Sequence, residues 1–247
     1  MNSLSKHSFD ITITPDLCGI APKLLPTGVV TIFQSAATTH AELIGVGGAA
    51  MAERGTYWVA THTRIDFLDS LDMMKTATVT TWPVESRMNA IRIYRNYRLE
   101  SEGRKIAEGK TEWVVLGRDG SIVPFSETGF PQDFEYCEDS VCEGRLQRLR
   151  DSFGDEDEIY TFTVRASAID TGHHMNNVIY VRAMLDCFTA QELADMKPAS
   201  MEIRYAVACM EGEQLKIYKK RTDTGYILGV RKADGTSAAV ASITLAE

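Results

Sequence analysis

The order strand, apolar helix, four strands occurs twice along this 247-residue chain, and a repeat of that kind leaves few folds open. In the first copy Phe9 to Thr14 alternates apolar and polar residues as a half-buried strand does, and a Pro- and Gly-containing stretch to Pro26 closes it. A helix is predicted from Thr27, its expected cap, with Val30, Phe33, Ala37, Ala41 and Ile44 on one buried stripe and Gly45, Gly47 and Gly48 ending it. Strands are expected over Thr56 to Phe67, Thr76 to Trp82, Ala90 to Glu100 and Arg104 to Leu116, broken at turn formers such as Ser101-Glu102-Gly103. The order restarts with a strand at Tyr160 to Arg165 and a helix from about Asn177 to Met196, whose stripe is Val178, Val181, Leu185 and Phe188. Strands follow at Met201 to Cys209, Gln214 to Arg221, Tyr226 to Lys232 and Thr236 to Leu245. Ile65, Phe67 and Val79 align with Ile203, Tyr205 and Ile217 at one offset, since 203 − 65 and 217 − 79 both give 138.

One helix per set of antiparallel strands, apolar on most sides, predicts a sheet curled around a buried helix. That is the hotdog architecture, here doubled: an α+β chain with two antiparallel sheets, each wrapped around a long central helix. The expected boundaries are residues 1–120 for the N-terminal hotdog, 121–157 for a charged linker with a short helix near Gly144 to Arg150, and 158–247 for the C-terminal hotdog. The amino terminus lacks the apolar run of a secretion signal and no stretch is long and apolar enough for a membrane helix, so a cytoplasmic location is expected. A net charge of −8 argues against nucleic-acid and membrane binding. The odd set of five cysteines contains no CxxC pair, so free thiols are expected, with neither a disulfide framework nor a metal site. With no glycine-rich phosphate loop and no G-x-S-x-G elbow either, no cofactor is expected.

The densest polar cluster in apolar surroundings is Ala168-Ile-Asp170-Thr-Gly172-His173-His174-Met175-Asn176-Asn177, between the second-half strand and its helix. An acid, imidazoles and amides gather there beside the free N–H groups of a helix start, which can stabilise an oxyanion. The plainer reading makes Asp170, Asn176 and Asn177 turn and cap residues and leaves the histidines on a surface loop. The aligned first-half stretch Gly19 to Pro26, at offset 151, has neither acid nor imidazole, so the fold alone does not demand them.

The segment Ile169 to Leu185, IDTGHHMNNVIYVRAML, resembles the D-x-N-x-H-V-N-N-x-x-Y stretch of the acyl-acyl-carrier-protein (acyl-ACP) thioesterases, and the chain is identified as a bacterial member of that family. Ala41-Glu42-Leu43-Ile44-Gly45, Tyr57-Trp58-Val59, Arg64-Ile65 and Val79-Thr80-Thr81-Trp82 are similar to its specificity domain, and Ile203-Arg204-Tyr205 to the strand before its second catalytic stretch. The resemblance implies Asp170 as the motif acid, His174 as the motif histidine, an N-terminal half that sets acyl specificity and a C-terminal half that is catalytic. It implies hydrolysis of fatty acyl-ACP, with release of the free fatty acid and the end of synthesis on that chain. Two positions depart: the motif asparagine falls on Gly172, and the glutamate of the family's E-C pair on Ala208, leaving Cys209.

In the expected mechanism His174 activates a water, Asp170 holds the ring or the thioester, and N–H groups at the start of the Asn177 helix receive the oxyanion. Cys209 is the covalent alternative, although buried cysteines on apolar strands are usually inert. Asn176 and Asn177 are expected to meet substrate, and Trp58, Trp82 and Trp113 either line an acyl tunnel, with Trp58 and Trp82 the substrate-binding candidates, or simply fill core, the commoner fate of strand aromatics. An acidic carrier protein is the expected partner, docking on Arg92 and Arg98 (with Arg95 on the opposite face) or on Arg145, Arg148 and Arg150; a second copy of the chain is a further candidate partner. The competing readings are an acyl-CoA thioesterase, a non-catalytic acyl-binding hotdog and a hydroxyacyl dehydratase, the last poorly served by a single-loop cluster.

Overall fold

The first half, in a computed structural model that describes residues 4–246, consists of β1 (His7–Thr12), α1 (Pro26–Leu43), α2 (Gly48–Glu53), β2 (Thr56–Phe67), β3 (Thr76–Pro83), β4 (Ile93–Ser101), β5 (Arg104–Gly117) and the two-residue β6 (Ile122–Val123). The second consists of β7 (Glu158–Thr163), α3 (Asn177–Leu185), α4 (Ala190–Asp195), β8 (Pro198–Tyr205), β9 (Gln214–Thr222), β10 (Gly225–Lys232) and β11 (Ser237–Leu245). The offsets read from sequence recur in space: β1 and β7 begin 151 apart, as do α1 and α3, and β3 and β9 begin 138 apart.

The double hotdog expected is present, with its two sheets joined edge to edge. All strand pairs are antiparallel, in the order β1-β3-β4-β5-β2-β8-β11-β10-β9-β7, with β6 beside β5. The join is β2 against β8, from His62↔Arg204 to Asp66↔Ser200. Its central pair, Arg64↔Glu202, consists of equivalent residues at offset 138, so the pseudo-twofold axis relating the halves passes there. One apolar core runs through both halves, including Phe33, Tyr97 and Leu99 of the first and Val181, Met184 and Ile217 of the second. α1 packs on β3 and α3, and α3 on β9 and β10.

Three local expectations are corrected. Thr27 is not the cap of α1: Leu25 occupies that place and Pro26 the first helical position, where its missing N–H costs nothing. At the other end Gly45, at φ +78°, donates to the Glu42 carbonyl and Val46 to that of Ala41, the paired bonds of a Schellman close. The second helix does not run through to Met196; it stops at Leu185 and restarts at Ala190. Thr189 and Glu192 form a capping box there, Thr189 Oγ1 accepting from Glu192 N–H at 3.1 Å and Glu192 Oε2 from Thr189 N–H at 2.7 Å. No helix forms near Gly144 to Arg150.

The segment between the halves is an ordered strap held by side chains of the sheet. Trp82 Nε1–H donates to the Asp139 carbonyl at 2.9 Å, Lys110 to that of Cys142 at 3.3 Å and Arg204 to that of Leu149 at 3.2 Å. Arg231 pairs with Asp151. Trp82, fully buried, lies beneath this strap.

Candidate active site

The hydrogen-bonded run that joins β2 to β8 covers residues 62–66 of β2, so the start of β2 and the chain after Tyr205 stand apart. That gap opens into a cavity of about 900 Å³ lined by both halves. From the second half come Asp170, Gly172, His174, Asn177 and Tyr180, then Tyr205 to Ala208. From the first come Gln34, Ala37 and Ala41 of α1, Met51 of α2, and Trp58, Ala60, Ile93, Arg95 and Trp113 of the sheet. Its size and mainly apolar wall suit one lipid-sized ligand.

The loop that carries the polar cluster is a closed turn. Ile169 and Met175 form a bridge, Asp170 N–H donates to the His174 carbonyl at 3.0 Å, and Asn176 N–H to that of Ala168 at 2.9 Å. The first half repeats it at offset 151, with Cys18 bridged to Leu24, Gly19 N–H donating to the Lys23 carbonyl and Leu25 N–H to that of Leu17. Gly19 and Lys23 therefore stand where Asp170 and His174 stand, and the backbone forms equally well with either pair. The backbone bonds that close the turn thus require neither the carboxylate nor the imidazole.

Within the turn, Asp170 Oδ1 accepts from Gly172 N–H at 2.8 Å. His173 takes φ +63° and its side chain is exposed. His174 is half-buried, its ring 6.4 Å from that of Tyr57 and roughly parallel to it, so a first-half tyrosine backs the second-half imidazole. No side-chain hydrogen bond joins Asp170 to His174 among the described residues; the carboxylate supports the loop instead. A Cβ on Gly172 would stand 3.0 Å from Asp170 Oδ1 and 3.8 Å from His174 Nδ1, so the vacant motif side chain would lie between the two.

The other candidate residues divide. Asn177 and Trp58 line the cavity, as does Trp113, its ring edge-on to Trp58. Asn176 does not: its Oδ1 caps α3, accepting from Val178 N–H at 2.9 Å, which is the plainer reading of that residue. Trp82 as a substrate contact is corrected: it is sealed under the strap away from the cavity, the core role that strand aromatics more often take. Cys209 lies one residue beyond the cavity wall at Ala208 and is fully buried. Its N–H donates to Tyr180 Oη at 2.9 Å, its carbonyl accepts from Met175 N–H at 2.8 Å, and burial pushes its thiol up. Cys209 thus anchors the loop by its backbone, while its side chain is held in the protonated form that attacks poorly.

Sequence reading named Tyr57 only within the Tyr57-Trp58-Val59 resemblance and missed its place beside His174, as it missed the reach of Arg95 into the cavity. Of the candidate docking arginines, Arg92 lies 3.7 Å from Glu112, Arg98 pairs with Glu108 at 2.9 Å, and Arg145, Arg148 and Arg150 are exposed on the strap.

Residues 7–123 match the family model described as the acyl-ACP thioesterase N-terminal domain, and residues 152–244 that of the acyl-ACP thioesterase C-terminal domain. Among solved structures the chain is similar to an acyl-ACP thioesterase from Bacteroides thetaiotaomicron, with 17% identity, 98% of both chains covered and a TM-score of 0.87. It is also similar to the 12:0-ACP thioesterase from Umbellularia californica, with 18% identity, 100% of this chain and 98% of that chain covered, and a TM-score of 0.80. No curated protein sequence is a significant match.

Proposed function

The chain belongs to the acyl-ACP thioesterase family, and from that premise we propose how its own residues carry out the reaction. It is a thioester hydrolase that cleaves fatty acyl-ACP to free fatty acid and carrier thiol. The observation that carries the residue-level reading is the place of His174, at the gap between the halves and on the wall of the cavity they share.

In this reading the acyl chain lies in the first-half part of the cavity and the thioester stands at the gap. His174 takes a proton from water as the water attacks the carbonyl, then returns it to the departing thiolate. Asn177 N–H, which has no partner among the described residues, sits at the start of α3 and receives the developing oxyanion. Asp170 holds the turn that presents these groups. The N-terminal hotdog, taken as residues 1–120, selects the chain; residues 158–247 supply the chemistry. None of the described helices is long and apolar enough to cross a membrane; a cytoplasmic location and an exposed basic face that meets the carrier belong to the proposal.

Thiol release from acyl-ACPs of several chain lengths tests the reading. Cys209→Ser is expected to retain at least half of wild-type kcat/KM, because its backbone contacts survive the exchange; loss of activity with an unchanged Tm would restore the covalent route. Gly172→Asn is expected to raise kcat about fivefold. An amide there can reach both Asp170 and His174, and one added hydrogen bond contributes about 1 kcal/mol. A fall in kcat would show that the turn is adapted to glycine.

A further inference from the structure

Arg95 projects from the inward face of β4 into the cavity, with 8% of its surface exposed. Its Nη1 donates to His40 Nδ1 at 2.9 Å and to Thr81 Oγ1 at 3.3 Å. Arginine can only donate, so Nδ1 of His40 accepts, and the ring proton lies on Nε2, which donates to the Leu4 carbonyl at 2.8 Å. Burial, and then the charge of Arg95, push His40 down to about 4, leaving it neutral at neutral pH. A second imidazole, His7, stacks on His40 at 5.8 Å. The facing groups from α1, β1 and β3 are thus imidazoles and a hydroxyl. Among the described residues no carboxylate pairs with Arg95, whereas Arg64, Arg98, Arg104 and Arg231 each have one.

A guanidinium keeps its charge when buried and has five N–H donors. The two hydrogens of Nη1 go to neutral acceptors, and Nε and Nη2 have no described acceptor. A hydrocarbon chain that filled the cavity would strip the last water from this cation and give nothing in exchange, an arrangement that burial of charge makes costly. An oxygen anion brought to the same place would complete its fork.

The position fixes which end of a substrate would meet it. The cavity residues on β3 and β4, the two lining strands furthest from the second half, are Pro83, Ile93, Tyr94 and Arg95, and Arg95 is the charged one among them. Arg95 stands opposite Thr111 on β5, and Tyr57, beside His174, stands opposite Leu116. That separation is roughly 16 Å along the strands and about 10 Å across them. The cation faces the far end of a bound chain, not its thioester.

We propose that the cavity selects an acyl chain carrying a carboxylate at its far end, a dicarboxylic acid held as its mono-thioester, with Arg95 as the specificity-determining residue. The inference rests on the thioesterase reading. Water and the mono-thioester then give the dicarboxylic acid and the carrier thiol, with Arg95 holding the far carboxylate throughout.

The test compares acyl-ACPs of equal length ending in methyl, hydroxyl or carboxylate, with wild type and Arg95→Met. Wild type is expected to favour the carboxylate end about tenfold or more in kcat/KM, the range of a charge-assisted bond, and Arg95→Met to favour methyl. Ratios taken within one protein cancel any change in folded fraction. A second measurement needs no variant: a free dicarboxylic acid should raise the wild-type Tm more than a monocarboxylic acid of the same length. Equal or faster turnover of the methyl or hydroxyl chain, with no extra stabilisation by the dicarboxylic acid, overturns the proposal. Failure to hydrolyse any of the three overturns the catalytic reading instead, and the Tm comparison still decides whether Arg95 binds carboxylate.

Discussion

His174→Ala is expected to lower kcat/KM on acyl-ACP by about 10² to 10⁴ while leaving the fold intact. The loss corresponds to roughly 3 to 5.5 kcal/mol of transition-state stabilisation. Among the described residues no second imidazole or reactive thiol at the gap can take its place: His173 is exposed, Cys209 is sealed with its thiol pushed up, and the second-stretch position is alanine at Ala208. The effect on stability should be small, because the His174 side chain's described contact is the loose stack on Tyr57 and the turn is closed by backbone bonds. Lys23 already occupies the equivalent place in the first half without harm to the same turn. Hydrolysis within a factor of three of wild type would remove His174 from the mechanism. A large fall in Tm would mean that the imidazole is structural.

The strands were legible because alternation and turn formers agree locally: Thr56 to Phe67 is β2 to the residue, and β3, β5 and β9 are each within one residue of expectation. The duplication was legible because the offset survives where sequence identity does not. Three features left no local trace. The join of β2 to β8 is a pairing between residues about 140 apart, and both strands read alike whether they meet each other or solvent. The strap that buries Trp82 is irregular chain, so alternation could assign Trp82 to a face without revealing what covers that face. A strand is expected to run to Cys209, but β8 ends at Tyr205 and the chain beyond it is irregular.

Two signals were present and underused. Thr189-Ala-Gln-Glu192 is a capping box, yet the apolar stripe running past Leu185 made one helix look continuous. Arg95 was placed opposite Arg92 and Arg98 by simple alternation. A lone arginine on the inward face, with Ile93, Tyr97 and Leu99 as its neighbours there, is the sequence mark of a polar site inside an apolar cavity. The catalytic loop shows the reverse case. Its backbone is a copy of the first-half loop, so chemistry there is carried entirely by side chains that the fold does not require, and Asp170 and His174 stood out for that reason.

The join between the halves is where the largest loss of stability is expected. Next to the pseudo-twofold axis His62 and Glu202, 8% and 2% exposed, lie 2.9 Å apart across β2 and β8. The contact is not aligned as a hydrogen bond, and Glu202 Oε2 has no partner; Oε1 also accepts from Gln147 N–H of the strap. His62→Ala would leave that carboxylate buried with one backbone donor and the cross-strand charge of Arg64, which is already engaged by Asp66, at an expected cost of about 3 kcal/mol. For a chain of this size the Tm should fall by about 10 °C. Replacing both residues, His62→Leu with Glu202→Met, removes the stranded charge along with its partner, so the double variant should recover most of the loss even though Gln147 N–H loses its acceptor. The comparison is a cycle in which the double variant is more stable than His62→Ala alone. Additive losses would show that side-chain volume, not the buried charge, holds the two hotdogs together at this edge.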